Sequence, residues 1–126
     1  MTTKPTTRVL VVDDEPNIAL AIDFLMQQQG FETAQAHDGK EALDKVRRFN
    51  PDLMILDVMM PHMNGYEVAQ ELRRDESYRN LKIVFLTAKG TSQDRMQGYT
   101  AGAEVYLTKP FDNKELVNIV SEMLMY

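Results

Sequence analysis

Apolar positions along this chain fall into two rhythms. Unbroken apolar runs occupy residues 9–12, 53–56, 83–86 and 105–107, as strands covered on both faces require. Residues 31–36 form a shorter and more polar run, suited to a sheet edge. Between the runs the spacing turns helical. Ile18, Ala19, Ile22, Leu25 and Met26 share one helix face, and Gly30 supplies a stop. Ala42, Leu43, Val46 and Phe49 follow Asp38 and Glu41 at capping-box spacing, and Asn50-Pro51 closes that helix. Residues 66–74 present Val68, Ala69 and Leu72 inward. Leu116, Ile119, Val120, Met123 and Leu124 form a strong stripe after Asp112 and Glu115, which repeat the capping-box spacing.

One helix in this series is weak. Residues 92–102 carry Gly98 inside, and only Met96, Tyr99 and Ala101 could face a core. It is expected to be the softest element. Residues 71–76 are a charge run, read as a solvated helix end, and residues 1–7 a flexible N-terminus.

The order is strand then helix, five times over. Short right-handed crossovers between parallel strands place helices on both faces of one sheet. The expectation is an α/β fold with a doubly wound five-stranded parallel sheet and five helices, (βα)5 and flavodoxin-like. It occupies residues 8–126 of a 126-residue chain, room for one domain.

Composition narrows the function. The chain is 44% hydrophobic, enough for a two-sided core, and its 14 Lys+Arg against 19 Asp+Glu leave a net charge of −5. That balance argues against a nucleic-acid-binding face. It has no cysteine, which removes disulfides, thiolate metal sites and cysteine nucleophiles. No apolar run approaches the ~20 residues of a membrane span, and the N-terminus lacks a signal-peptide core. A cytoplasmic protein without membrane insertion is expected.

The chemistry gathers where strands end. The 53–56 run stops at Asp57, the 9–12 run at Asp13-Asp14, the 83–86 run at Thr87, and the 105–107 run at Thr108-Lys109. Open α/β sheets bind ligands at this carboxyl edge. Three carboxylates in one cleft repel one another and recruit a cation. With only His37 and His62 as imidazoles, zinc is disfavoured, and both histidines read as isolated loop residues. Mg²⁺ suits carboxylates, a backbone carbonyl and retained waters. Lys109 adds a fixed positive charge, which prepares the site for a phosphoryl dianion. Aspartate can itself be the nucleophile, giving an aspartyl phosphate, and Asp57 is the best placed because its run is the most apolar and so the most central. Thr87 Oγ and the backbone N–H groups of Met59 and Ala88 could then bind the phosphoryl oxygens. The nine methionines read as core filler or output-face contacts.

These residues closely resemble the receiver domain of two-component response regulators, above all the single-domain chemotaxis type. The matching pieces are Val11-Val12-Asp13-Asp14, Asp57 with Met60-Pro61 and Asn64-Gly65, Thr87-Ala88, and Lys109-Pro110-Phe111. The resemblance spans residues 8–125. It implies that Asp57 accepts a phosphoryl group from a histidine kinase or phosphotransfer protein. It further implies that Asp14 binds Mg²⁺ directly and Asp13 through water, with Asp57 and the Met59 carbonyl completing the protein ligands. Lys109, placed by a cis bond to Pro110, would pair with the phosphate. Thr87 and Tyr106 would be the switch pair, the ring turning inward as the hydroxyl moves onto the phosphate. The expected output is protein–protein binding through the 92–102 helix, the Tyr106 strand and the last helix, by a monomer or a phosphorylation-dependent dimer. The chain stops just after that helix, so no output domain is expected to follow. Asn64 stands where the family often has an acid, and either residue serves the turn. Met59 and Lys89 flank the path of a hydrolytic water in the family and would tune the phosphoryl lifetime.

Two other classes fit less well. A Mg²⁺-dependent phosphatase working through an aspartyl phosphate would carry a second acid two residues past the nucleophile, where this chain has Met59. A flavin or nucleotide module would need a Gly/Ser/Thr-rich loop after the first strand, where this chain has Asp13-Asp14-Glu15-Pro16.

Overall fold

The structure, a computed structural model, describes residues 6–88 and 105–125. Five parallel strands form one sheet in the order β2-β1-β3-β4-β5. They are β1 (Arg8–Val12), β2 (Glu32–Ala36), β3 (Leu53–Asp57), β4 (Lys82–Thr87) and β5 (Val105–Thr108). Four α-helices lie among the described residues: α1 (Pro16–Gln28), α2 (Gly39–Phe49), α3 (Gly65–Arg73) and α4 (Asn113–Leu124). The remaining expected helix, residues 92–102, lies outside the described residues, as do Lys89 and residues 1–5 of the expected flexible N-terminus. Thr7 is already engaged, its carbonyl accepting the Glu32 N–H at 2.9 Å.

Strand periodicity divides the core in two. Leu10, Val12, Met54, Leu56, Ile83 and Phe85 pack on one face with Ala42 and Val46 of α2 and with Val68, Ala69 and Leu72 of α3. Val9, Val11, Leu53, Ile55, Val84 and Leu86 point the other way, against Ala19, Ile22 and Met26 of α1 and Leu116, Val120 and Met123 of α4. Alternate residues of a strand face opposite ways, so an apolar run is needed wherever both faces are covered. β3 is the middle strand and all five of its residues are buried. β2 stands at the edge with one buried residue.

Local signals set the helix ends. Pro16 opens α1, and Gly30 follows its last turn at φ +90°, a backbone conformation that glycine adopts without a Cβ penalty. The Asp38 carboxylate accepts the Glu41 N–H at 2.7 Å, while the Glu41 carboxylate reaches back to the His37 N–H at 2.7 Å rather than to Asp38. The full reciprocal box forms instead at α3. Asn64 Oδ1 accepts from the Glu67 N–H at 2.9 Å, and Glu67 Oε1 accepts from the Asn64 N–H at 3.0 Å. Asp112 caps α4 through the Lys114 N–H at 3.1 Å, one residue earlier than its capping-box spacing with Glu115 suggests.

The charge run 71–76 is only partly a solvated helix end. Arg74 pairs with Glu71 at 3.2 Å on the surface. Arg73 turns back instead, and its guanidinium donates to the carbonyls of Tyr78, Arg79 and Leu81. Those carbonyls belong to the loop between α3 and β4. Five N–H donors in a rigid fork suit one side chain to gathering several such acceptors.

Candidate phosphoryl-acceptor site

Four polar residues are buried among the described ones: Asp13, Asp23, Asp57 and Thr87. Asp23 sits in α1 and accepts a hydrogen bond from the Gln27 amide at 2.8 Å. The other three stand at the carboxyl edge of the sheet, where β1, β3 and β4 end side by side. Successive strands are added on one side of β1 and then on the other, so the strand order reverses between β1 and β3, the position at which doubly wound sheets form a ligand crevice.

Asp57 is 3% exposed at the end of β3, and Asp13 is fully buried just past β1. Oxygens of Asp13, Asp14 and Asp57 lie within 4.8 Å of one another. Lys109, immediately after β5, reaches over them: its Nζ stands 3.0 Å from Asp13 Oδ2 and 3.4 Å from Asp57 Oδ1. The Lys109 N–H donates to the Thr87 carbonyl at 2.8 Å, fastening the ends of β5 and β4 together, and the Lys109–Pro110 peptide is cis. The second Asp13 oxygen accepts the Glu15 N–H at 2.9 Å, which turns the chain into α1. The Met59 N–H donates to Asp57 Oδ1 at 3.3 Å.

This setting moves protons. Burial, helped by the negative charge of Asp13, pushes Asp57 up to about 6, while Lys109 and the Met59 N–H pull it back. For Lys109, burial works against the charged form. Its hydrogen bond to Asp13 and the charges of Asp57 and Asp13 outweigh that and hold the amine above its usual value. The donor set is entirely oxygen, and one ammonium faces three carboxylates. A hard divalent cation fits such a set, and a soft one does not.

The remaining residues expected in the site take distinct places. Thr87 is buried beside Asp57, one residue past Leu86, its partner in register. Ala88 and the Met59 side chain are exposed, Met59 by 59%. Tyr106 is half-buried in β5, its ring centroid 5.5 Å from that of Phe85. His62, at φ +69°, and His37, 3.4 Å from the Glu41 carboxylate, take no part in the acidic cluster.

Two residues that shape the site carry little signal in the sequence. Gly65 packs directly on the backbone of Asp57: a Cβ there would stand 2.5 Å from the Asp57 carbonyl oxygen and 3.0 Å from Val58 Cα. The Gly65 N–H also donates to the Val58 carbonyl at 3.0 Å. The Asn64-Gly65 pair announces a turn but not this close approach. Tyr66, next in α3, is 3% exposed and lies edge-on to Phe85, with ring centroids 4.8 Å apart. Its only hint is an aromatic at the start of an amphipathic helix.

The model of the response regulator receiver domain matches residues 9–121. This chain belongs to the response regulator receiver family. It is 39% identical over 117 residues to the DNA-binding dual master transcriptional regulator RpaA of Synechocystis, a match covering 93% of this chain and 48% of RpaA. It is 46% identical over 110 residues to the DNA-binding response regulator MtrA of Mycolicibacterium smegmatis, covering 87% of this chain and 47% of MtrA. The chain thus spans about half the length of these curated relatives. Among solved structures, the chemotaxis protein CheY4 of Vibrio cholerae superposes with a TM-score of 0.90 at 32% identity, covering 94% of this chain and 99% of CheY4. The receiver domain of sensor histidine kinase PA1611 from Pseudomonas aeruginosa, solved with a magnesium ion in its active-site cleft, gives 0.87 at 29%, covering 97% of this chain and 100% of that one. The receiver is therefore the phosphoryl-receiving module of a two-component system, with an acidic cluster able to hold a metal ion. No described helix is long and apolar enough to cross a membrane.

Proposed function

We propose that Asp57 is the phosphoacceptor of this receiver. The observation that carries the reading is a buried carboxylate at the end of the central strand, held between two further acids and one ammonium. The donor is a phosphohistidine on a histidine kinase or phosphotransfer protein. One Asp57 oxygen attacks phosphorus, the P–N bond breaks, and the imidazole leaves. The product is an acyl phosphate on Asp57, and water later splits its P–O bond to release phosphate and restore the carboxylate. The chain thus catalyses its own phosphorylation and dephosphorylation as a switch, without a separate substrate to turn over.

Its residues divide the work. Lys109 neutralises the incoming phosphoryl oxygens from the side on which it already pairs with Asp57. The Met59 and Ala88 N–H groups and Thr87 Oγ donate to those oxygens. Asp14, Asp13 through water, Asp57 and the Met59 carbonyl are the residues that would hold Mg²⁺. When bound, Mg²⁺ offsets the carboxylate charge and that of the transferring group. The magnesium ion in the similar PA1611 receiver supports this choice of metal.

The output follows from Thr87 and Tyr106. As the threonine hydroxyl turns to the phosphoryl group, the inward place of the Tyr106 ring is favoured further, and this changes the surface of β5, the 92–102 segment and α4 that a target protein reads. A cytoplasmic location suits a domain that receives phosphate from a kinase. The net charge of −5 favours protein over DNA as its direct contact. The receiver unit runs from residue 8 to 126, acting as a monomer or as a dimer formed on phosphorylation.

Intact mass after incubation with acetyl phosphate and Mg²⁺ tests this reading. The expected result is a single base-labile phosphoryl adduct, absent with EDTA and absent in Asp57→Ala. An adduct of equal yield in Asp57→Ala would overturn it.

A further inference from the structure

We propose that Tyr66 is a positioning residue that holds the Tyr106 ring inward and ties its placement to the backbone of Asp57. The inference rests on the reading of Tyr106 as the output ring.

Three observations support it. The Tyr106 hydroxyl donates to the Tyr66 hydroxyl across 3.3 Å, with the two ring centroids 6.5 Å apart. Both rings meet Phe85, Tyr66 edge-on at 4.8 Å and 83°, Tyr106 tilted at 5.5 Å and 53°. Phe85 precedes Thr87 by two strand positions, so the two side chains share one face of the sheet. The aromatic group therefore lies next to the threonine that the phosphoryl group would draw.

Tyr66 has little freedom to drift. It follows Gly65, which leaves no room for a Cβ beside the Asp57 carbonyl, and the Asn64–Glu67 capping box fixes the same turn of α3. A shift of the Asp57 backbone is transmitted through Gly65 to Tyr66 and from there to Tyr106. When the Tyr106 ring swings outward, it loses the Phe85 edge and the hydroxyl partner and gains water. The hydroxyl bond is long, so its loss is expected to lower the inward-to-outward ratio by roughly 2- to 5-fold.

The test is NMR of the unphosphorylated protein with ring-labelled tyrosine and phenylalanine. Inward population is read from nuclear Overhauser contacts between ring 106 and Phe85. Tyr66→Phe keeps the ring packing and removes the hydroxyl. It is expected to lower the inward population by the stated factor in the Tyr106 background and to have no effect in a Tyr106→Phe background. An unchanged ring 106 in Tyr66→Phe, or an equal change in both backgrounds, would overturn the proposal. Melting temperatures of all four proteins show whether each keeps its fold, and Tyr66→Leu, which removes the ring as well, should lower the inward population further. The measurement needs no phosphate, so a failure of Asp57 to accept a phosphoryl group would be seen separately, in the mass experiment.

Discussion

Gly65 and Asp57 touch through their backbones. A single methyl on Gly65 would lie 2.5 Å from the Asp57 carbonyl oxygen, closer than any Cβ sits to backbone. The start of α3 therefore serves as a wall behind the proposed phosphoacceptor, and that wall has no slack. Gly65→Ala is expected to displace the loop between β3 and α3 and to destabilise the fold by about 1–3 kcal/mol, the usual cost of overpacking. Thermal melting gives the stability, and the rate of phosphorylation by acetyl phosphate should fall with it. A variant with wild-type values for both would show that the contact relaxes freely.

The elevated Asp57 has a consequence for stability. Its folded value of about 6 lies above the usual 3.8, so the folded state binds the proton more tightly than the unfolded chain. The associated stability is fully present below about pH 4 and is lost as the pH rises through 6. In metal-free protein at pH 7–8, Asp57→Asn is expected to be more stable than wild type, on the order of 1–3 kcal/mol. The difference should shrink as the pH falls from 7 to 4. Urea unfolding across that range, in EDTA, checks both the sign and the window.

Lys109 opposes that shift. Its charge and hydrogen bond lower the Asp57 value against the effect of burial and Asp13. Lys109→Ala is expected to raise the Asp57 midpoint further above 6. The side-chain carboxyl ¹³C resonance of Asp57 follows this directly, and a midpoint that moved down would contradict the geometry of the pair.

A divalent cation should reverse the carboxylate repulsion. Mg²⁺ is expected to raise the melting temperature at neutral pH; at 100 times its dissociation constant a bound ligand adds about 2.7 kcal/mol. EDTA should abolish the gain, and Asp14→Ala should weaken it. Because a proton on Asp57 competes with the ion, the gain should be smaller at pH 5 than at pH 7. Equal gains at both values would place the ion elsewhere.

Much of the fold was legible because each strand carries its own burial requirement. An unbroken apolar run suits a strand covered twice, and the 53–57 run accordingly lies in the centre of the sheet with every residue buried, whereas the 105–107 run forms the edge strand β5, where only Leu107 is buried. Carboxylates at the ends of such runs must meet at one sheet edge, and Asp13, Asp14 and Asp57 do meet there. What stayed hidden depends on contacts between distant segments. Nothing local to the Arg73-Arg74 pair says that one guanidinium gathers three loop carbonyls while its neighbour pairs with Glu71 at the surface. The Tyr66–Phe85–Tyr106 group likewise joins α3, β4 and β5, and no single window of sequence contains it. The weak periodicity of residues 92–102 belongs to a segment outside the described residues.

The measurement that bears most directly on the central claim is the position of the phosphoryl group. Borohydride reduces an aspartyl phosphate to homoserine, so the acceptor can be read in a peptide digest after exposure to acetyl phosphate and Mg²⁺. The expected result is homoserine at position 57 alone. Homoserine at Asp13 or Asp14, or a phosphoryl group stable on a hydroxyl or imidazole, would contradict the assignment of Asp57 as the acceptor.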